Sequence, residues 1–115
     1  MIYLSGKIRG LHPQEVTEKF MSKWKELRAR YGGRVVNPVL FMKDMNSMRM
    51  RAGMSILTDV RHRKEIMKIC IDKLSECDTI YLMPCWEDSE GAQAELAFAK
   101  SAGMKIIYEL ENLEE

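Results

Sequence analysis

Four short apolar runs alternate along this chain with longer segments whose apolar residues recur at helical spacing. Ile2-Tyr3-Leu4 is the first run, and Ser5-Gly6 stops it, which predicts a buried strand entering a tight loop. From Pro13 to Arg30 the period lengthens. Val16, Phe20, Trp24 and Leu27 fall on one stripe while Glu15, Glu18, Lys19, Lys23 and Arg28 lie elsewhere, so an amphipathic helix is predicted. Pro13 suits its first turn and Gly32-Gly33 its end. Arg34-Val35-Val36 reads as a second strand, closed by Asn37-Pro38. Residues 39–57 show no clean period; they hold five methionines (Met42, Met45, Met48, Met50, Met54) with Arg49 and Arg51. A mobile segment over a site, a short irregular helix and a partner surface are the readings open there.

A helix is expected from about Thr58 to Cys77, with Val60, Met67, Cys70, Ile71 and Leu74 toward the core. Thr79 to Met83 reads as the third strand, ended by Pro84; Ser89 to Ala102 as a helix ended by Gly103; Lys105 to Tyr108 as the fourth strand; and Glu109 to Glu115 as an acidic tail. The order β-α-β-α-β-α-β predicts an α/β fold, a flavodoxin- or Rossmann-like three-layer sandwich. Its short parallel sheet should run 2-1-3-4 with helices on both faces, since crossovers are right-handed. With no linker or repeat in view, residues 1–115 read as one domain.

Composition narrows the function classes. The chain has 115 residues, 46% apolar and 30% charged, with a formal net charge of +1, so no global attraction to a nucleic-acid polymer or a membrane surface is expected. No apolar run approaches the roughly 20 residues that span a bilayer, and the opening Met-Ile-Tyr-Leu-Ser-Gly reads as a strand rather than a signal peptide. Cys70, Cys77 and Cys85 contain no CxxC pair, and His12 and His62 are far apart, so no metal site is expected. Reduced thiols fit a cytoplasmic protein.

Ligands of such sheets bind beyond the carboxyl ends of the strands, where the strand order reverses. The two loops meeting there are Ser5 to Gly10 and Pro84 to Ser89. The helix that follows carries a stripe of Gly91, Ala92, Leu96, Ala99 and Ala102, and Glu95 falls in its middle. A carboxylate on a core-facing stripe is costly unless it is paired or functional, so a structural hydrogen bond and a catalytic role are the two readings of Glu95. Ser89 sits at the expected N-cap, either as a plain cap or as part of a phosphate site. Arg9 is either a fork for phosphate or carboxylate, or a solvated surface residue.

Tyr3-Leu4-Ser5-Gly6-Lys7-Ile8-Arg9-Gly10, taken with Cys77 to Ala92 and with Glu95, resembles the nucleoside 2-deoxyribosyltransferase-like proteins. The segment Trp86-Glu87-Asp88-Ser89-x-Gly91-Ala92-x-x-Glu95 narrows the resemblance to a branch described as a domain of unknown function (DUF4406). The opening motif is also similar to the 2'-deoxynucleoside 5'-phosphate N-hydrolases. The resemblance spans nearly the whole chain and implies cleavage of a base–sugar bond. Carried over, Glu95 is the nucleophile and Tyr3 holds it, while Ser89, Gly91, Arg9 and Gly10 line a phosphate or sugar pocket. Gly6, Trp86 and Asp88, in the same motifs, complete the expected substrate-binding set. The implied partner is a small nucleoside or nucleotide, no cofactor is needed, and a homo-oligomer is expected. One departure stands out. Relatives place an aspartate eight residues before the Asp that opens the third strand, and here Asp78 opens it with Cys70 at that position. An enzyme and a nucleotide-binding module that has lost the chemistry are therefore both consistent with the sequence.

Overall fold

The computed structural model describes residues 1–58 and 60–109. Strand β1 (Ile2–Ser5) leads through helix α1 (Pro13–Tyr31) to β2 (Val35–Val36). Helices α2 (Pro38–Arg51) and α3 (Arg63–Ser75) carry the chain to β3 (Thr79–Leu82), and α4 (Glu90–Ser101) to β4 (Lys105–Tyr108). All strand pairs are parallel and the order is 2-1-3-4, as the element pattern predicts. The chain steps one way from β1 to β2, then crosses back past β1 to β3 and on to β4. Right-handed crossovers then send α1 to one face of the sheet and α3 and α4 to the other.

Strand alternation divides the core accordingly. Leu4, Tyr81 and Met83 pack with Val16, Phe20 and Leu27 of α1 on one face. Tyr3, Ile80 and Leu82 pack with Cys70 and Leu74 of α3 and with Leu96 and Ala99 of α4 on the other. The Trp24 indole N–H donates to the Val35 carbonyl at 2.7 Å and ties α1 to β2. Both β1 and β3 are buried on two sides, hence their nearly unbroken apolar runs.

Of the readings open for residues 39–57 the structure gives a helix, longer than the short irregular one: α2 runs 14 residues from an Asn37 cap, whose side chain accepts from the Val39 and Leu40 amides at 3.1 and 3.3 Å. Periodicity failed because the helix leans on both cores by its first turn, through Val39 and Phe41, and leaves Met48 and Met50 each 66% exposed. The next helix starts at Arg63 rather than near Thr58, and Val60 is 90% exposed instead of buried. The intervening chain folds on itself: the Thr58 amide donates to His62 Nδ1 at 3.0 Å, and the His62 amide to the Thr58 carbonyl at 2.8 Å. Of the expected acidic tail only Glu109 is described, its side chain joining Lys23 at 3.0 Å and Tyr81 at 3.0 Å; residues 110–115 lie outside the described residues.

Two α2 side chains hold the segment that follows: Arg49 Nε donates to the Ser55 carbonyl at 2.7 Å, and Asn46 makes a pair of bonds. The Asn46 amide group donates to the Leu57 carbonyl at 3.1 Å and accepts from the Leu57 amide at 2.9 Å, and Leu57 is buried. Asn46→Ala removes both bonds and is expected to cost about 1–3 kcal/mol. Denaturant unfolding measures that loss, and hydrogen exchange at the Leu57 amide should speed up by more than exchange in β3.

Candidate functional site

Tyr3 and Ser5 are two residues apart on β1 and so share a face, the one covered by α3 and α4. Across from them α4 buries Ala92, Glu95, Leu96 and Ala99, a spacing that presents one side of the helix to the sheet. The small residues on that side bring the helix close, and Glu95 meets both hydroxyls. Tyr3 Oη donates to Oε2 at 2.6 Å and Ser5 Oγ donates to Oε1 at 2.6 Å. Glu95 as a residue is 7% exposed, and Tyr3 and Ser5 are wholly buried. Each oxygen therefore has its own donor, and the plane of the carboxylate is set.

Glu95 forms the floor of an open cleft of about 980 Å³. The cleft lies beyond the carboxyl ends of β1 and β3, at the reversal of strand order. One wall is the loop after β1, with Gly6, Arg9 and Gly10, and another is the mouth of α4, with Asp88, Ser89 and Gly91. Gly10 takes a left-handed φ of 82°, which lets this loop turn back over α1. At Gly6 an added Cβ would stand 2.7 Å from the Met83 methyl and 3.3 Å from Met83 Cβ, so Met83 would have to shift to admit a side chain. The Ser89 hydroxyl caps α4 by accepting from the Ala92 amide at 3.1 Å. Ahead of it the Glu90 and Gly91 N–H groups have no place in the helical ladder.

Trp86 is a correction. It does not line the cleft: the chain turns at Cys85, which has a left-handed φ of 72°, into a short 3₁₀ turn over Trp86–Asp88. The indole packs on Tyr108 of β4, with ring centres 5.7 Å apart, and covers the core under α4. Tyr3 stands behind Glu95 rather than at the cleft surface. Seven of the nine sequence-nominated residues thus meet at the cleft: Gly6, Arg9, Gly10, Asp88, Ser89, Gly91 and Glu95.

Other lining residues carried no role in the sequence reading. Lys7 lies next to Arg9, Lys43 comes from α2, and Arg63 opens α3, where it pairs with Glu90 at 2.6 Å. Met42 of α2 and Met67 of α3 add apolar wall, so the segment without a period supplies one side of the site. Ser5 was legible only as a loop residue; its place two positions after Tyr3 was the available signal. Among the described residues no group of three His, Cys, Asp or Glu is placed to hold a metal ion, and no helix is long and apolar enough to cross a membrane.

The electrostatics follow from burial. Glu95 is held above the ordinary carboxylate value by loss of solvation, which the Ser5 and then the Tyr3 hydrogen bonds oppose. Burial, reinforced by the Glu95 charge, lifts the Tyr3 hydroxyl well above its usual range, so it remains a donor. Cys70 lines the cleft beside this pair, and burial together with the Glu95 charge pushes its thiol up to about 12. It is a neutral group that gives up its proton with difficulty.

A family model matches residues 1–108. The chain belongs to the family described as Domain of unknown function (DUF4406). No curated protein and no solved structure matches it. In this DUF4406 domain the family match takes in every element that builds the cleft, from β1 through α4.

Because Glu95 binds its proton more tightly in the folded than in the unfolded chain, its protonation stabilises the fold fully below the ordinary value of 4.5. That contribution is lost as pH rises through the raised folded value. Glu95→Gln keeps the shape and cannot titrate. The stability of the native DUF4406 domain relative to this variant is expected to fall from about pH 4.5 upward and then level off, as denaturant unfolding at a series of pH values would measure.

Proposed function

We propose that this domain is an N-glycosidase or deoxyribosyltransferase that cleaves the base–sugar bond of a deoxynucleoside or its 5'-monophosphate, with Glu95 as nucleophile. The observation that carries the reading is a carboxylate with a hydroxyl donor on each oxygen, buried at the floor of a cleft at the strand-order switch point. A buried carboxylate of this kind costs stability, and a cleft of this size lined by Met42, Met67, Lys7 and Arg9 offers apolar surface for a base and cations for a phosphate. The resemblance of Tyr3 to Gly10 and of Trp86 to Glu95 to the nucleoside 2-deoxyribosyltransferase-like proteins supports the same chemistry.

In this reading one Glu95 oxygen forms a bond to the anomeric carbon as the bond to the base nitrogen breaks, and that electron pair leaves with the base. The transition state resembles an oxocarbenium ion, which the adjacent negative charge stabilises. Tyr3 and Ser5 hold the carboxylate in place. Ser89 with the free N–H groups of the α4 first turn, and Arg9 and Lys7 opposite, would take the phosphate. Water then attacks the anomeric carbon, the sugar–glutamate bond returns its electrons to the carboxylate, and the water's extra proton passes to solvent. With a second base in place of water the sugar is transferred. Cys70 keeps its proton too firmly to serve the leaving base, which draws its proton from solvent in the open cleft.

That last feature favours a second reading, a nucleotide-binding module without turnover. Incubation with each deoxynucleoside and each 5'-monophosphate, followed by chromatography for free base, separates the two. Base release that Glu95→Ala lowers by at least about a thousandfold is expected, and a new nucleoside formed on adding a second base marks a transferase. Calorimetric binding with no base release would establish the module instead, and equal release by Glu95→Ala would remove the glutamate from the chemistry.

A further inference from the structure

Of the two hydroxyls bonded to Glu95, that of Tyr3 also meets Cys70, whereas that of Ser5 has no second side-chain hydrogen bond among the described residues. The Tyr3 hydroxyl interacts with the Cys70 thiol as well as with Oε2. The Ser5 hydroxyl is wholly buried, and its one hydrogen bond goes to Oε1 at 2.6 Å. Strand pairing also fixes the Ser5 backbone. It is the last residue of β1, in register with Leu82 of β3, and its carbonyl accepts from the Met83 amide at 2.9 Å. A serine rotor fixed this way has few alternatives to pointing at the carboxylate. An alanine there would preserve strand and core while leaving Oε1 without its protein donor.

We propose that Ser5 is the positioning residue of Glu95: clamped at the end of β1, its hydroxyl fixes Oε1 while Tyr3 fixes Oε2, so the carboxylate meets the substrate in one orientation and in its charged form. This inference rests on the reading of Glu95 as nucleophile, and it adds a residue to which neither the motif nor the family description gives a role. The two clamps oppose desolvation, the dominant influence on Glu95, and the Ser5 bond opposes it more than the Tyr3 bond does. The two hydroxyls supply the side-chain hydrogen bonds to the carboxylate, and Cys70, its titratable neighbour on α3, stays neutral. Ser5 therefore governs how far down in pH Glu95 remains an anion.

The test compares the native domain with Ser5→Ala and Ser5→Cys under reducing conditions. Carbon-13 NMR of the side-chain carboxyls, with the Glu95 signal assigned by its absence in Glu95→Gln, follows the titration directly. Ser5→Ala is expected to move the Glu95 titration to higher pH, with Ser5→Cys, a weaker donor of similar size, in between. Base release from the best deoxynucleotide should show the same shift of its acid limb, a loss of roughly tenfold at pH 5, with KM little changed. An unmoved Glu95 titration in folded Ser5→Ala overturns the proposal. Should no substrate release base at all, the glycosidase reading fails, while the NMR titration still decides whether Ser5 controls the carboxylate. Near-identical amide spectra of the variants confirm that the fold is kept.

Discussion

A carboxylate placed between a helix and a sheet must be compensated, and this molecule compensates it with two hydroxyls from a single strand. Glu95 approaches β1 from α4, and the strand answers with Tyr3 and Ser5, one donor for each oxygen. The geometry leaves little freedom. The alternation of β1 sets both donors on one face, and the parallel pairing of β1 with β3 holds the strand still. Ala92 and Ala99 keep α4 near enough for hydrogen bonds of 2.6 Å. A larger residue on that side of α4 would lift the helix and strand the charge.

The arrangement carries a cost in stability. The same sequence positions filled by apolar side chains would pack without any desolvation cost. Instead the domain keeps a carboxyl group that burial drives toward its protonated form, and positions it at the floor of a cleft rather than inside closed packing. Around it the site is built from parts that serve the fold as well. Ser89 caps α4 and borders the cleft, Gly10 permits the turn after β1 and leaves the backbone open there, and Arg63 begins α3 and pairs across to Glu90. Cys70 sits in the α3 core stripe and on the cleft wall at once. Its neutrality keeps a second charge out of the neighbourhood of Glu95, which helps the carboxylate ionise.

Much of this was legible from residue order. The four apolar runs and the helices between them gave the parallel sheet and its 2-1-3-4 order, because buried parallel strands and amphipathic crossovers leave strong periodic marks. Glu95 on its stripe of small residues was visible for the same reason. In α2 the mark is blurred: its partly buried face mixes Met42 and Met45 with Asn46 and Arg49, while the apolar Met48 and Met50 are exposed. Val60 misled because an isolated apolar residue in a turn looks like the start of a helical stripe. Trp86 misled because a loop's direction depends on one backbone conformation, at Cys85, that no side-chain pattern announces.

The sequence by itself determined the fold class, the location of the cleft at the switch point and the identity of its central carboxylate, since each follows from local periodicity and chain connectivity. Only the tertiary structure decided which side chains share that cleft. Ser5 as the second partner of Glu95, Lys43 and Arg63 as walls, and Trp86 as packing for Tyr108 are meetings between residues far apart in the chain. Such meetings depend on how helices seat against the sheet, and a one-dimensional pattern carries the face of each element but not its depth or its rotation against a neighbour.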